Sequence, residues 1–214
     1  MIPDVFTQQP GCFRAAGLFT FTVVLKVAQL AINSGLDGDK LREGIFALRT
    51  RRFGSVAELM IKRQIKLGKA RNQFHDLYDD AQNHRIEVKF SCVMKKAETP
   101  VMADTVLQCI AEAAAANRLV SFAKWSNFAF DCNIQQIKRA EFDVLYYGLF
   151  FSDCIQIFRI ESSQISSEIG YSDKQHKGNI GEGQFHIKQD CLQIHLAKYH
   201  YKKLTYDELL ALLT

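Results

Sequence analysis

The chain has 214 residues, 48% of them hydrophobic and 23% charged, which is enough apolar material for one core and too balanced for a disordered tail. Three prolines and twelve glycines exclude collagen-like and linker-dominated chains. The net charge of +4 is unevenly spread: residues 40–71 hold ten Lys or Arg against two acids, and the remainder is net acidic. Such a segment can neutralise phosphates or form a solvated helix face.

The apolar stretch 15–25 is closed by Lys26, short of the roughly 20 residues that span a bilayer. The segment before it lacks the basic bias of a signal peptide, so a buried element and no membrane partner are expected. Residues 14–33 read as a helix stopping at Ser34-Gly35. Gly54-Ser55-Val56-Ala57-Glu58 opens a second helix, in which Val56, Leu59, Met60, Arg63 and Leu67 recur at three and four and Gly68 ends it. Two strands follow, 74–79 and 85–92, joined by a turn at 81–84. Thr99 as cap and Pro100 in the first turn predict the longest helix, running to Asn117 and crossing back over a sheet. Strands at 142–151 and 154–160 flank a Ser152-Asp153 turn. Residues 161–184 read as a long polar loop, and Thr205-x-x-Glu208 as the capping box of a final helix over 205–214. Intermixed helices and strands predict the α/β class, with a central mixed β-sheet flanked by helices.

Six cysteines at 12, 92, 109, 132, 154 and 191 form no Cys-x-x-Cys pair, so free thiols in a reducing cytoplasm are expected. His195 and His200 are five apart, a poor spacing for a shared metal. Gly178, Gly181 and Gly183 precede no Gly-Lys-Ser/Thr and match no dinucleotide fingerprint, so no nucleotide cofactor is expected.

The chemistry is concentrated between residues 76 and 91. Alternation along a strand puts Ile86, Val88 and Phe90 on one face and Glu87, Lys89 and Ser91 on the other. A hairpin with the preceding strand brings Asp76 beside Glu87. Two carboxylates and a lysine meeting there offer hard oxygen ligands for Mg²⁺ and a cation to orient water or hold a phosphate oxygen. Glu-x-Lys is also an ordinary exposed strand pair, mildly favourable with no catalytic role. Asp79 and Asp80 read as solvating the hairpin turn. Glu58 has two readings, a capping box with Ser55 or a helix acid approaching the metal site. The stretch 171–179 is rich in donors suited to phosphates and base edges, among them Lys174, His176 and Lys177.

Asp76, Glu87 and Lys89 resemble the PD-(D/E)xK nuclease signature. The ordered set Phe53-Gly54-Ser55-Val56-Ala57-Glu58, Phe74-His75-Asp76-Leu77, Ile86-Glu87-Val88-Lys89-Phe90-Ser91, Gln135-Gln136-Ile137-Lys138 and Glu141-Phe142-Asp143 is similar to type II restriction endonucleases over residues 50–190. His75 stands where the signature has proline. The resemblance implies one nuclease domain over 1–214, with a restriction-endonuclease-like core at about 50–160 and DNA-contacting residues within 161–190. It implies a sequence-specific endonuclease of double-stranded DNA. Mg²⁺ would be held by Asp76, Glu87 and the Val88 carbonyl, Lys89 would position or activate water, and Glu58 would be a further acid. Gln136 and Lys138 would lie beside the active site, facing DNA. A homodimer in a bacterial or archaeal cytoplasm is expected by the same analogy. Two other readings stand beside it: a structure-selective repair or resolvase-type nuclease with the same core, and a non-catalytic DNA-binding module.

Overall fold

The computed structural model describes Lys26, Gln29 and residues 31–69, 74–96, 99–174 and 181–214. The chain divides into Met1–Asp37 with Thr214, and Gly38–Leu213. In the first unit residues 31–34 are helical, and Gly35 closes the turn at φ 57°, its N–H donating to the Ile32 carbonyl at 3.1 Å. The predicted stop at Ser34-Gly35 is therefore found; most of the helix predicted over 14–33 lies outside the described residues.

Gly38–Leu213 opens with helices α1 (Gly38–Ala47) and α2 (Thr50–Ile65). On α2 the residues Phe53, Ala57, Met60 and Ile61 are buried at three- and four-residue spacing, which is the face that fixes the helix to the sheet. It ends at Lys66 in the left-handed region, φ 56°, two residues before the glycine expected to stop it. It also begins four residues earlier than predicted. Ser55 is therefore an interior residue whose hydroxyl donates to the Arg51 carbonyl at 3.2 Å, and the Ser55–Glu58 capping box is not made.

The strands β1 (Gly68–Lys69), β2 (Leu77–Asp79) and β3 (His84–Cys92) form an antiparallel meander. After two short helices, α3 (Val106–Glu112) and α4 (Ala115–Arg118), come β4 (Asp131–Ile137), β5 (Val144–Phe150), β6 (Ile155–Glu161), β7 (Tyr171–Ser172) and β8 (Gly183–Lys188). Helix α5 (Leu192–Lys198), β9 (His200–Leu204) and α6 (Tyr206–Leu213) complete the unit. One sheet has six strands in the order β1-β2-β3-β5-β6-β9, with β3 and β5 parallel and the other pairs antiparallel. A second sheet has the order β4-β8-β7.

The central strand β5 is buried at every position, as a strand covered on both faces must be. On one face Ile86, Val88, Val144 and Tyr146 pack with Met60, Ile61 and Leu209 of α2 and α6. On the other, Leu145, Tyr147 and Leu149 pack with Ile134, Phe185 and Ile187 of the second sheet. Gly148 lies under the Phe90 ring and the Gln156 carbonyl, leaving no space for a Cβ. The fold is thus α/β, a mixed sheet flanked by helices.

Three predicted elements are corrected. The strand expected over 74–79 is paired only at Leu77–Asp79. The single helix expected over 99–117 is instead α3 and α4, broken at Ala114, whose ψ of 136° is extended. Thr105, not Thr99, organises its start, accepting from the Met102 N–H and donating to the Pro100 carbonyl. Neither helix has a buried residue, and alanine content without a packed face does not sustain a long helix. The stretch 161–184 is not all loop: it holds two 3₁₀ turns, β7 and the start of β8. The capping box at α6 is present, with Thr205 N–H on Glu208 Oε2 at 2.7 Å and Glu208 N–H on Thr205 Oγ1 at 3.1 Å. Among the described residues no helix is long and apolar enough to cross a membrane. Cys92, Cys109, Cys132, Cys154 and Cys191 are free, and burial pushes the thiols of Cys92 and Cys132 up to about 12.

Candidate active site

The site is assembled where β2 begins. The hairpin pairs Leu77 with Ile86 and Tyr78 with Arg85, and Asp76 stands immediately before the first paired residue. Asp76 is held by backbone at both ends: its N–H donates to the Ile86 carbonyl at 3.0 Å, and its Oδ2 accepts from the Val88 N–H at 2.9 Å. The N–H and C=O of one strand residue point the same way, so the Val88 carbonyl also faces the Asp76 side, beyond the end of β2. Ile86 and Val88 are buried against α2 and the sheet, which fixes Glu87 and Lys89 on the opposite face. There Lys89 Nζ contacts Glu87 Oε1 and lies 3.7 Å from Asp76 Oδ2.

The electrostatics bind these groups together. Burial pushes the Glu87 carboxyl up to about 7; the nearby charges of Asp76 and Glu141 add to this and Lys89 opposes it. Burial pulls Lys89 down, but Glu87, Asp76 and Glu58 outweigh it and hold the ammonium above its ordinary value. Glu58 is raised by burial and then by Asp76, with Lys89 opposing. The α2 glutamate therefore belongs electrostatically to the same cluster, and with its capping box absent the cluster is the one role of the two that retains a partner.

Gln136 and Lys138 lie at the end of β4. A bulge between Gln135 and Ile137 leaves Gln136 at φ 61°, a conformation costly for any residue but glycine. Lys138 Nζ is 3.6 Å from both Glu141 Oε1 and Glu182 Oε1, and the charge of Glu141 is felt at Glu87. That chain ties Lys138 to the edge of the Asp76–Glu87–Lys89 cluster. Lys174 is exposed, its N–H donating to Ser172 Oγ and its carbonyl accepting from Gln184, with no contact to the cluster. His176 and Lys177 lie outside the described residues. Asp79 caps the hairpin turn, its Oδ1 accepting from the N–H groups of Ala81 and Gln82, as read from the sequence.

Sequence reasoning gave no role to Arg85, Asp143 or His75. Arg85 Nη2 and Nε donate to Asp143 Oδ1 and Oδ2 at 2.8 and 3.1 Å, tying the starts of the parallel strands β3 and β5. The alternation that placed Glu87 and Lys89 also places Arg85 on their face, so that signal was present. His75 is 5% exposed beside Tyr78, their rings 5.7 Å apart. His195, doubted above as a metal ligand, is fully buried with Nδ1 2.8 Å from the Tyr147 hydroxyl.

Among the described residues no group of three His, Cys, Asp or Glu side chains is arranged to hold a metal ion. Asp76 and Glu87 with the Val88 carbonyl are a smaller set of hard oxygen donors, of the kind Mg²⁺ accepts while keeping several waters. The Glu87 carboxyl is raised chiefly by burial, with the Lys89 ammonium in contact and the charge of Asp76 nearby. The residues fit such an ion. No protein-family model matches the chain, and no curated protein matches it.

Proposed function

We propose that the chain is a Mg²⁺-dependent endonuclease of double-stranded DNA, of the restriction type, with a PD-(D/E)xK core. The observation that carries the reading is the convergence of Asp76, Glu87 and Lys89 beside β3 where β2 begins, with Glu58 in the same electrostatic cluster. The hairpin β2–β3, with β5 parallel beside it and α2 packed behind, supports assigning the finer fold to the same class.

In this reading Asp76, Glu87 and the Val88 carbonyl hold the ion. When bound, Mg²⁺ supplies Lewis-acid stabilisation of phosphate charge and acidifies water. Asp76, locked by two backbone hydrogen bonds, needs no reorganisation to present its remaining oxygen. Lys89, held protonated by three acids, orients the attacking water or balances charge on the phosphate oxygens. Lys138 and Gln136 face the bound strand beside the cluster, and the exposed Lys174 contacts phosphate further out. A palindromic target calls for two copies of the chain about a twofold axis.

Digestion of several unmodified plasmid and phage DNAs with Mg²⁺ or EDTA tests the reading, with Lys89→Ala and Glu87→Ala alongside and circular dichroism to verify folding. Discrete fragments are expected from the wild type, lost with EDTA and reduced at least 10³-fold in both variants, the scale of losing a group that acts on the transition state. A smear would favour the structure-selective nuclease. Intact DNA from folded protein would leave only the binding module.

A further inference from the structure

Beside the catalytic cluster, on the same face of the hairpin, lies an open groove of about 600 Å³ lined by His75, Tyr78, Gln82, Asn83, His84, Arg85 and Asp143. Tyr78 and Arg85 are cross-strand partners, and Arg85 shares the β3 face of Glu87 and Lys89 two residues on, so groove and cluster adjoin on one face. His75 is 5% exposed, and among the described residues neither of its ring nitrogens has a hydrogen-bond partner. A buried imidazole without partners is costly, and such a group calls for one that arrives from elsewhere.

The chemistry of the walls selects the occupant. The groove's one guanidinium is already committed: Arg85 donates to both oxygens of Asp143 and to the Ala140 carbonyl, so its charge and fork are spent within the protein. A phosphate would meet a neutralised cation and the Asp143 carboxylate. The remaining groups are the imidazoles of His75 and His84 and the exposed side-chain amides of Gln82 and Asn83, with the Tyr78 hydroxyl donating to Asn83 Oδ1. These offer donors and acceptors together without net charge, the pattern that matches a base edge.

We propose that this groove receives a nucleobase edge of the bound DNA and that His75, Gln82 and Asn83 read it. The proposal rests on the nuclease reading for bringing duplex DNA to this face. Arg85 is two residues from Glu87 along β3, about 7 Å, which is on the order of two base steps. The position read is therefore one to two base pairs from the scissile phosphate.

The test is selection of bound duplexes from a random-sequence DNA pool, with Ca²⁺ in place of Mg²⁺, followed by sequencing. It compares wild type with His75→Phe, Gln82→Ala and Asn83→Asp. Phenylalanine keeps the ring and removes both nitrogens, so a merely structural imidazole leaves the selected motif unchanged. Aspartate keeps the acceptor for Tyr78 and replaces a donor by an acceptor. The wild type is expected to enrich a motif. His75→Phe should fold with an unchanged or higher Tm, yet preference at one or two positions should fall from roughly 5- to 150-fold to under about twofold. Asn83→Asp should change the base preferred there. An unaltered motif in all three variants, or a wild type that selects no motif, overturns the proposal. A motif selected by a protein that cuts no DNA with Mg²⁺ would overturn the nuclease reading while leaving the groove as a base reader.

Discussion

Two acids of opposite behaviour lie along β3: Glu87 within it, and Asp143, bonded to Arg85 just before the parallel strand β5. The Arg85 hydrogen bonds hold Asp143 down at about 2, so this carboxylate contributes stability above the ordinary carboxylate range and loses it as pH falls from about 4 to 2. Both side chains are more than a third exposed, 39% and 36%, and solvent screening reduces the contribution to about 1 kcal/mol. Asp143→Asn is expected to be less stable by that amount at pH 7 and to show a flatter decline in Tm between pH 4 and 2. Equal slopes in that window would remove the pair from the acid response. Glu87 runs the other way. Its carboxyl is held up at about 7, so the fold loses stability as pH rises from the ordinary value near 4.5 to 7, on the order of 3 kcal/mol. A divalent cation favours the ionised form. The rise in Tm on replacing EDTA by Mg²⁺ should therefore be small at pH 5 and grow through pH 7, and cleavage should rise over the same window. A Mg²⁺ effect that is constant with pH would separate Glu87 from the metal.

At the scale of elements, α2 and α3 are both apolar-rich, and only α2 is held by the fold. Met60 and Ile61 of α2 are fully buried, whereas Leu107 and Ile110 of α3 are 79% and 66% exposed. Met60→Ala should cost about 2–5 kcal/mol and Leu107→Ala no more than about 0.5, read as denaturant midpoints at constant m. A large loss at Leu107 would mean that α3 is packed after all. The same contrast explains what could be read from the residues alone. The alternation of Ile86, Val88 and Phe90 and the box at Thr205–Glu208 are local patterns and were legible. Of the stripe read on α2 only Met60 is fully buried and Leu59 is 42% exposed, because the packed face is Phe53, Ala57, Met60 and Ile61. The helix over 99–117 misled because Thr99-Pro100 and alanines carry propensity without saying whether a face is covered. Strands β4 and β8 alternate cleanly, Cys132 and Ile134 then Phe185 and Ile187 pointing inward, but the pairing of β4 with β8 joins segments far apart along the chain. At the site, Glu87 and Lys89 were legible from period two, and Asp76 from a hairpin. The Arg85–Asp143 pair spans 58 residues through a parallel crossover, and the charge of Glu58 on the cluster depends on how α2 lies across the sheet.

For the whole molecule, the question is whether the basic segment serves DNA or only solvates a helix. Arg49, Arg51 and Arg52 are exposed around the start of α2, where they oppose the positive end of the helix dipole, and no acid in the first turn compensates. The helix thus begins with cations where anions are preferred, an arrangement that stability alone does not favour. Arg51 is seven residues, two turns, before Glu58 on the same face, about 10 Å along the axis from the group that feels Asp76 and Lys89. If a duplex is bound as proposed, the test is whether its phosphates reach that end of α2. Binding of a fixed duplex in Ca²⁺ should weaken linearly in log K against log salt, with a slope steeper than about −4, since each phosphate neutralised contributes roughly −0.9. Arg51→Ala and Arg52→Ala should each flatten the slope by about 1 without changing sequence preference. Removing a cation from the positive helix end should at the same time raise stability by a few tenths of a kcal/mol. Weaker binding from a slightly more stable protein is the signature of residues kept for phosphates. Unchanged slopes in both variants would return the arginines to the solvent and leave α2 with Glu58 as its one link to the site.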